Sequence, residues 1–178
     1  MLEEVVHFTP RKRFPLILKK AEKIDEQILA LSRTRLSPKQ IDPIVFSVFP
    51  KAIRLGIGAQ KIAYKIMSGK RELALKIVKN TSRMFLYIKP YLISGKSSKQ
   101  RNHSYLKHYW ATKACILQKI AEPVDNKDEK QKHQIRKLRR KHKSKLCDLR
   151  LCNLGLVSGR VKILDASVKR ECKDAVRT

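Results

Sequence analysis

The densest group of residues with an evident chemistry is the run Arg136-Lys137-Leu138-Arg139-Arg140-Lys141-His142-Lys143. Guanidinium and ammonium groups bind the phosphates of nucleic acid, and each phosphate that they neutralise releases counterions. Apolar residues around the run, Ile135, Leu138 and Leu146, form a thin stripe at most. We therefore expect a solvated tail, or a helix that orders on an anion. A nuclear-targeting signal is the alternative in a eukaryote.

Histidines and cysteines near this run raise the question of a metal site. His133, His142, Cys147 and Cys152 have the side chains that zinc prefers. Their spacing matches no common structural zinc site, so reduced and inert thiols are the favoured interpretation, with zinc as the alternative. The histidines form no HExxH motif, and the acidic residues do not cluster beside a histidine. We expect no enzyme activity, no cofactor and no small-molecule substrate.

Composition points to the same class of partner. The chain has 178 residues, a mass of 20.7 kDa, 42 lysines and arginines, 15 acidic residues and a formal net charge of +27. Nucleic acid is the leading partner class for such a charge, and an anionic membrane is the second. No apolar stretch is long enough to span a bilayer, and the basic run has no broad apolar face, so we expect no membrane partner. The acidic start lacks the pattern of a signal peptide, which predicts a cytoplasmic location.

Hydrophobic spacing predicts a mostly α domain. Apolar residues from Pro15 to Leu31 recur every three or four positions, as on one face of a helix. Ser37-Pro38 with Gln40 predicts the start of a second helix. Helical spacing continues in three later groups: Ile57, Ile62 and Ile66; Leu73, Ala74 and Ile77; Leu106, Trp110, Ala114, Leu117 and Ala121.

The predicted organisation has four parts. Residues 1–14 form a basic arm, 15–122 a helical RNA-binding domain, and 123–146 a highly basic linker or tail. Residues 147–178 form a small extension in which Gly155 and Gly159 separate apolar residues, the pattern of two short strands.

Residues 44–122 contain fragments in the order found in the ProQ/FinO family of RNA chaperones. The chain resembles the family at Val48-Phe49-Pro50-Lys51, at Ile53-Arg54-Leu55-Gly56-Ile57 and at Ala74-Leu75-Lys76. It is also similar at Arg83 to Pro90, and at Trp110-Ala111-Thr112-Lys113. The family's exposed tyrosine falls on Met84 and the proline before its basic turn on Ile53, so the chain departs from the pattern at both positions.

The resemblance implies a compact helical domain with a short β-hairpin and a basic concave face. That face would hold the base of an RNA hairpin and its 3′ single-stranded tail, which promotes annealing or protects the RNA. Arg54 and Lys76 take the places of two family cations, and Tyr87 is the substitute for the missing tyrosine. Arg101, or alternatively Lys99, takes the place of the arginine after the hairpin.

The residues expected to contact RNA therefore come from the domain and from the basic run. They are Arg54, Lys61, Lys76, Lys79, Arg83, Tyr87, Lys99, Arg101, Arg136, Lys137, Arg139 and Arg140. The alternative class is a ribosomal or organellar-ribosomal protein, which would use a similar charge to bind rRNA as part of an assembly.

Overall fold

A computed structural model describes residues 6–7, 14–31, 35–80, 104–142 and 149–165. The chain divides into two compact units. The sheet unit comprises the described residues up to 80 together with 107–120. The helix–hairpin unit comprises 104–106, 121–142 and 149–165.

The sheet unit contains two helices and six antiparallel strands in the order β1-β5-β6-β4-β3-β2. Its elements are β1 (Val6–His7), α1 (Pro15–Leu31), α2 (Pro38–Val48), β2 (Ile53–Ile57), β3 (Lys61–Ser68), β4 (Arg71–Val78), β5 (His108–Ala111) and β6 (Cys115–Lys119). The first two predicted helices are therefore present. Gln40 accepts a hydrogen bond from the Ser37 backbone N–H (2.9 Å), as expected for the start of α2.

The prediction of a mostly α domain is wrong, because the three later groups with helical spacing lie in strands, in the turn between β5 and β6, or within two residues of a strand end. Residues four apart share a face both in a helix and in a strand, so Ile62 and Ile66 fit either structure. The hairpin between β3 and β4 decides in favour of strands. Ser68 pairs with Arg71 across a two-residue loop, in which Gly69 adopts a φ of +58°. Glycine at that position is a recognised hairpin signal.

One face of the sheet forms the core together with both helices. Ile24 and Ile28 of α1 and Val45 of α2 join a buried cluster with alternate residues of the central strands. The strand residues in that cluster are Ile62, Tyr64 and Ile66 of β3, Leu73, Leu75 and Ile77 of β4, and Leu117 of β6. The residues between them therefore lie on the opposite face of the sheet.

A buried carboxylate fastens α1 to the turn between β5 and β6. Asp25 accepts hydrogen bonds from the Thr112 hydroxyl (2.9 Å), the Lys113 backbone N–H (3.0 Å) and the Ala114 backbone N–H (2.9 Å). Thr112 in turn accepts a hydrogen bond from the Cys115 backbone N–H (3.1 Å). Backbone donors of a buried turn need such acceptors, so Asp25 contributes to the stability of the sheet unit.

This carboxylate makes the stability of the sheet unit depend on pH. Burial raises the pKa of Asp25 above its ordinary value of 3.8, against the lowering effect of the hydrogen bonds from Thr112 and Ala114. Between 3.8 and the raised pKa, the folded chain holds a proton that the unfolded chain has released. We predict that the free energy of unfolding of the wild type, relative to Asp25→Asn, falls as the pH rises through this window. Urea titrations of both proteins at a series of pH values measure this difference in unfolding free energy. A difference that rises with pH would contradict the prediction.

The helix–hairpin unit packs one helix against a two-stranded sheet. Its elements are α3 (Glu129–His142), a short 3₁₀ helix (Leu151–Asn153), β7 (Leu154–Val157) and β8 (Arg160–Ile163). Ile135 of α3 joins Leu154, Val161 and Ile163 in a small core. The basic run thus lies largely within an ordered helix that has one apolar contact face.

Gly155 is in the most crowded glycine position of this unit. A Cβ atom at residue 155 would lie 2.7 Å from Ala121 Cβ and 2.8 Å from Leu164 Cδ2. We predict that Gly155→Ala destabilises the unit by about 1–3 kcal/mol, the usual cost of overpacking. Faster hydrogen exchange of the α3 amides in Gly155→Ala than in the wild type would show this destabilisation. Gly56→Ala, at a site with no atom within 4 Å, is the control, and equal behaviour of the two variants would refute the prediction.

Candidate nucleic-acid interface

Side-chain contacts hold α3 on the hairpin in a defined rotation. Gln134 donates to the Gly159 carbonyl (3.1 Å) and accepts from the Val161 backbone N–H (2.7 Å). The Asp128 carboxylate accepts a hydrogen bond from the Gln131 backbone N–H (2.8 Å), as a helix N-cap does. With Ile135 buried against the hairpin, the helix presents a fixed opposite side to solvent.

That opposite side is a row of basic residues, here called the α3 ridge. Its members are all exposed: Lys130, His133, Arg136, Lys137 and Arg140. Except for the adjacent pair Arg136 and Lys137, neighbouring members are three or four positions apart in the sequence. They therefore share one side of the helix. The ridge extends for roughly 15 Å at 1.5 Å per residue, a length along which a nucleic-acid duplex presents several phosphates.

Almost no acidic side chain in α3 offsets the positive charge of the α3 ridge. Glu129 is the one acidic residue in the sequence of α3, and its carboxylate accepts a hydrogen bond from the Lys132 ammonium (2.8 Å). That hydrogen bond, with the charge of Lys132, lowers the pKa of Glu129. Because this acid is already paired with a lysine outside the ridge, the field at the ridge is positive.

Arg139 and Lys141 of the basic run have contacts within the unit. The Arg139 Nε atom donates to the Leu149 carbonyl (3.1 Å), and the Lys141 ammonium lies 3.4 Å from the Ser104 hydroxyl. Arg139 therefore helps to anchor α3, although the residue as a whole is exposed.

Arg54, a predicted RNA contact, is part of an ion pair in the sheet unit. Its guanidinium donates to Asp42 Oδ2 (2.5 Å), and the Tyr64 hydroxyl donates to Asp42 Oδ1 (2.6 Å). Burial and the neighbouring carboxylate raise the pKa of Tyr64. Asp42 thus joins β2 and β3 to α2, and Arg54 has a structural role whether or not it contacts RNA.

Lys61 and Lys76 lie on the face of the sheet opposite the two helices. Lys61 pairs with Val78, and Lys76 pairs with Ala63, so the two lysines are diagonal neighbours. Both are buried. The structure brings these two predicted residues together on one face, but it does not present them to solvent as the ridge residues are presented.

Lys79 directly follows β4 and contacts the turn between β2 and β3. Its ammonium donates to the Gly58 carbonyl (2.7 Å), while Arg35 donates to the adjacent Ala59 carbonyl (2.6 Å). Burial, followed by the charge of Arg35, lowers the pKa of Lys79. The Gly58 backbone N–H donates to the Lys61 carbonyl (2.8 Å), so this amide closes the turn and is not available to hold an anion.

Four predicted contacts, Arg83, Tyr87, Lys99 and Arg101, lie outside the described residues. Two members of the ridge, Lys130 and His133, were not among the predicted contacts. The signal that identifies them is their helical spacing from Arg136 and Arg140, which becomes meaningful once residues 129–142 are known to form a helix.

The described residues contain no group of three or more histidine, cysteine or acidic side chains that could hold a metal ion, and Cys147 is outside them. Among the helices described, none is long and apolar enough to cross a membrane. No protein-family model and no curated protein matches the chain.

Proposed function

We propose that this protein binds structured RNA through the phosphate backbone, with the α3 ridge as its principal contact. The observation that carries the proposal is the row of five exposed basic residues on a helix whose other side is fastened to a hairpin. The lysines and arginines of such a row neutralise phosphates at defined spacing without reading base edges. That mode suits duplex RNA, whose deep major groove hides the bases from side chains. The proposal includes a cytoplasmic location and no catalytic step.

The ProQ/FinO resemblance supplies a more specific hypothesis, which is recognition of a hairpin base with a 3′ tail. Its fragments in residues 44–122 support it, but the helical fold that it implies is not the fold of the sheet unit. Annealing or protection of the bound RNA would be the outcome for the cell.

A titration with three ligands tests the proposal. The ligands are an RNA hairpin with a 3′ U-rich tail, the same hairpin without the tail, and a DNA hairpin, at about 50 and 200 mM salt. Binding of both RNA hairpins in preference to DNA supports the proposed function. A loss of at least about tenfold on removing the tail supports the ProQ/FinO-like specificity. Equal binding to all three with a steep salt dependence would favour the structural role in an RNA–protein assembly, and no binding to RNA would contradict the proposal.

A further inference from the structure

Two cations of the sheet unit, outside the α3 ridge, converge on the turn between β2 and β3. The Lys79 ammonium donates to the Gly58 carbonyl (2.7 Å), and the Arg35 guanidinium donates to the next carbonyl along the chain, that of Ala59 (2.6 Å). Because the two carbonyls belong to consecutive residues, the two positive charges are held close together. Burial lowers the pKa of Lys79, and the charge of Arg35 lowers it further, as expected for neighbouring cations.

Backbone hydrogen bonds fix the segments that carry these cations. The Lys79 backbone N–H donates to the Gln60 carbonyl (2.9 Å), and the Lys79 carbonyl accepts from the Leu36 backbone N–H (2.8 Å). The side chain of Leu36 belongs to the core of the sheet unit, so the backbone next to Arg35 is anchored as well. The two charges are therefore positioned by the fold itself, which reduces the ordering cost of binding a ligand.

Lys79 is a buried cation whose charge no carboxylate balances. The residue is 6% exposed, and none of the ion pairs within the described residues involves Lys79 or Arg35. A lysine is rarely buried to this extent unless it is paired with an anion, because removing an ammonium from water is costly. A single carbonyl offsets this cost only in part, and the neighbouring guanidinium adds repulsion. An anion in contact with both cations would relieve the two costs together.

We propose that Arg35 and Lys79 form an anion site that binds one phosphate group. An ion can approach from solvent, because Arg35 is exposed and the hydrogen bond from Lys79 to Gly58 is only partly buried. A guanidinium offers parallel N–H donors that match two phosphate oxygens, and an ammonium donates to a third. Inorganic phosphate and a phosphate of RNA share this chemistry. The site goes beyond the proposed function and does not depend on RNA binding by the α3 ridge.

An NMR titration of the ¹⁵N-labelled full chain with inorganic phosphate, at an ionic strength held constant with chloride, tests the proposal. We expect saturable shifts of the Leu36, Ala59 and Lys79 backbone amides, with a dissociation constant of about 1–10 mM. The RNA hairpin with and without a 5′-phosphate then identifies the source of the group. A response to both hairpins indicates a backbone phosphate, a response to the phosphorylated one alone indicates a terminal phosphate, and a response to neither leaves inorganic phosphate as the source.

Variants at the exposed member of the pair separate a lost site from a misfolded chain. Arg35→Gln removes one charge at the surface, so we expect the dissociation constant for inorganic phosphate to rise by at least about tenfold. Arg35→Lys keeps the charge and should bind within about threefold of the wild type. Lys70→Gln removes an exposed cation from the loop between β3 and β4 and is the matched control, which should bind phosphate like the wild type.

The test also distinguishes this site from the α3 ridge. A chain with Arg136→Gln, Lys137→Gln and Arg140→Gln should bind inorganic phosphate at Arg35 and Lys79 as the wild type does, even if it no longer binds RNA. Shifts of the three amides that do not saturate with any of the probes would overturn the proposal. So would saturable shifts that Arg35→Gln and Lys70→Gln weaken equally, because the response would then follow net charge.

Discussion

Replacing three residues of the α3 ridge, Arg136→Gln, Lys137→Gln and Arg140→Gln together, should weaken RNA binding by about tenfold to a hundredfold at moderate salt. Each side chain is exposed, so each can form a phosphate contact that its glutamine cannot replace with a charge. The dependence of log affinity on log salt should also flatten by about two to three units, one for each lost contact. Fluorescence anisotropy with the RNA hairpin at several salt concentrations measures both quantities.

The matched control removes the same number of charges from the sheet unit. Lys19→Gln, Lys23→Gln and Lys70→Gln are substitutions at exposed sites, two on α1 and one in the loop between β3 and β4. If long-range attraction by net charge dominated, the two triple variants would lose affinity equally, and the account of α3 as the principal contact would fail. Hydrogen exchange of α3 in the ridge variant shows that the helix remains folded.

Asp25→Ala should lower the free energy of unfolding of the sheet unit by about 3 kcal/mol or more. The substitution leaves the Thr112 hydroxyl and two backbone N–H groups, of Lys113 and Ala114, without the acceptor they have in the wild type. A buried donor that loses its acceptor costs about 1–3 kcal/mol. Urea unfolding followed by the fluorescence of Trp110, which is buried in the same unit, measures the change.

Two further variants identify the cause of that loss. Asp25→Asn keeps one acceptor oxygen but turns an amide N–H₂ toward a donor, so its effect should be intermediate. Glu26→Ala removes an exposed acid from the next position of α1 and should change stability by less than about 0.5 kcal/mol. Equal losses for Asp25→Ala and Glu26→Ala would mean that the three hydrogen bonds do not fasten the turn.

The elements that sequence reasoning predicts correctly are those with a start signal and sustained periodicity. Pro15–Leu31 shows four turns of apolar spacing, and Ser37 with Gln40 marks the next helix. The strands of the sheet unit are not predicted, because Ile62 and Ile66, four residues apart, satisfy a period of 3.6 and a period of 2 equally well. The loop at Gly69 is the local signal that separates the two, since a two-residue connection between apolar segments predicts a hairpin.

For the candidate site too, the sequence shows which residues are charged, whereas their arrangement depends on tertiary contacts. The cations of α3 are visible in the sequence, but their sorting into an outward ridge depends on the contacts of Ile135 and Gln134 with the hairpin. Arg54 appears as a solvated cation until the fold brings Asp42 beside it. Asp25 lies on the buried side of α1, between Ala21 and Ile28. An acidic residue at such a position indicates a buried polar contact, but only the fold shows its partners.

The most direct test of the central claim is an NMR titration of the ¹⁵N-labelled full chain with the RNA hairpin. If the α3 ridge is the principal contact, the largest shifts of backbone amides should fall at residues 130–140, and they should diminish as salt is raised. Shifts confined to the sheet unit, with the amides of α3 unchanged at saturation, would contradict the account and place the RNA site in the sheet unit.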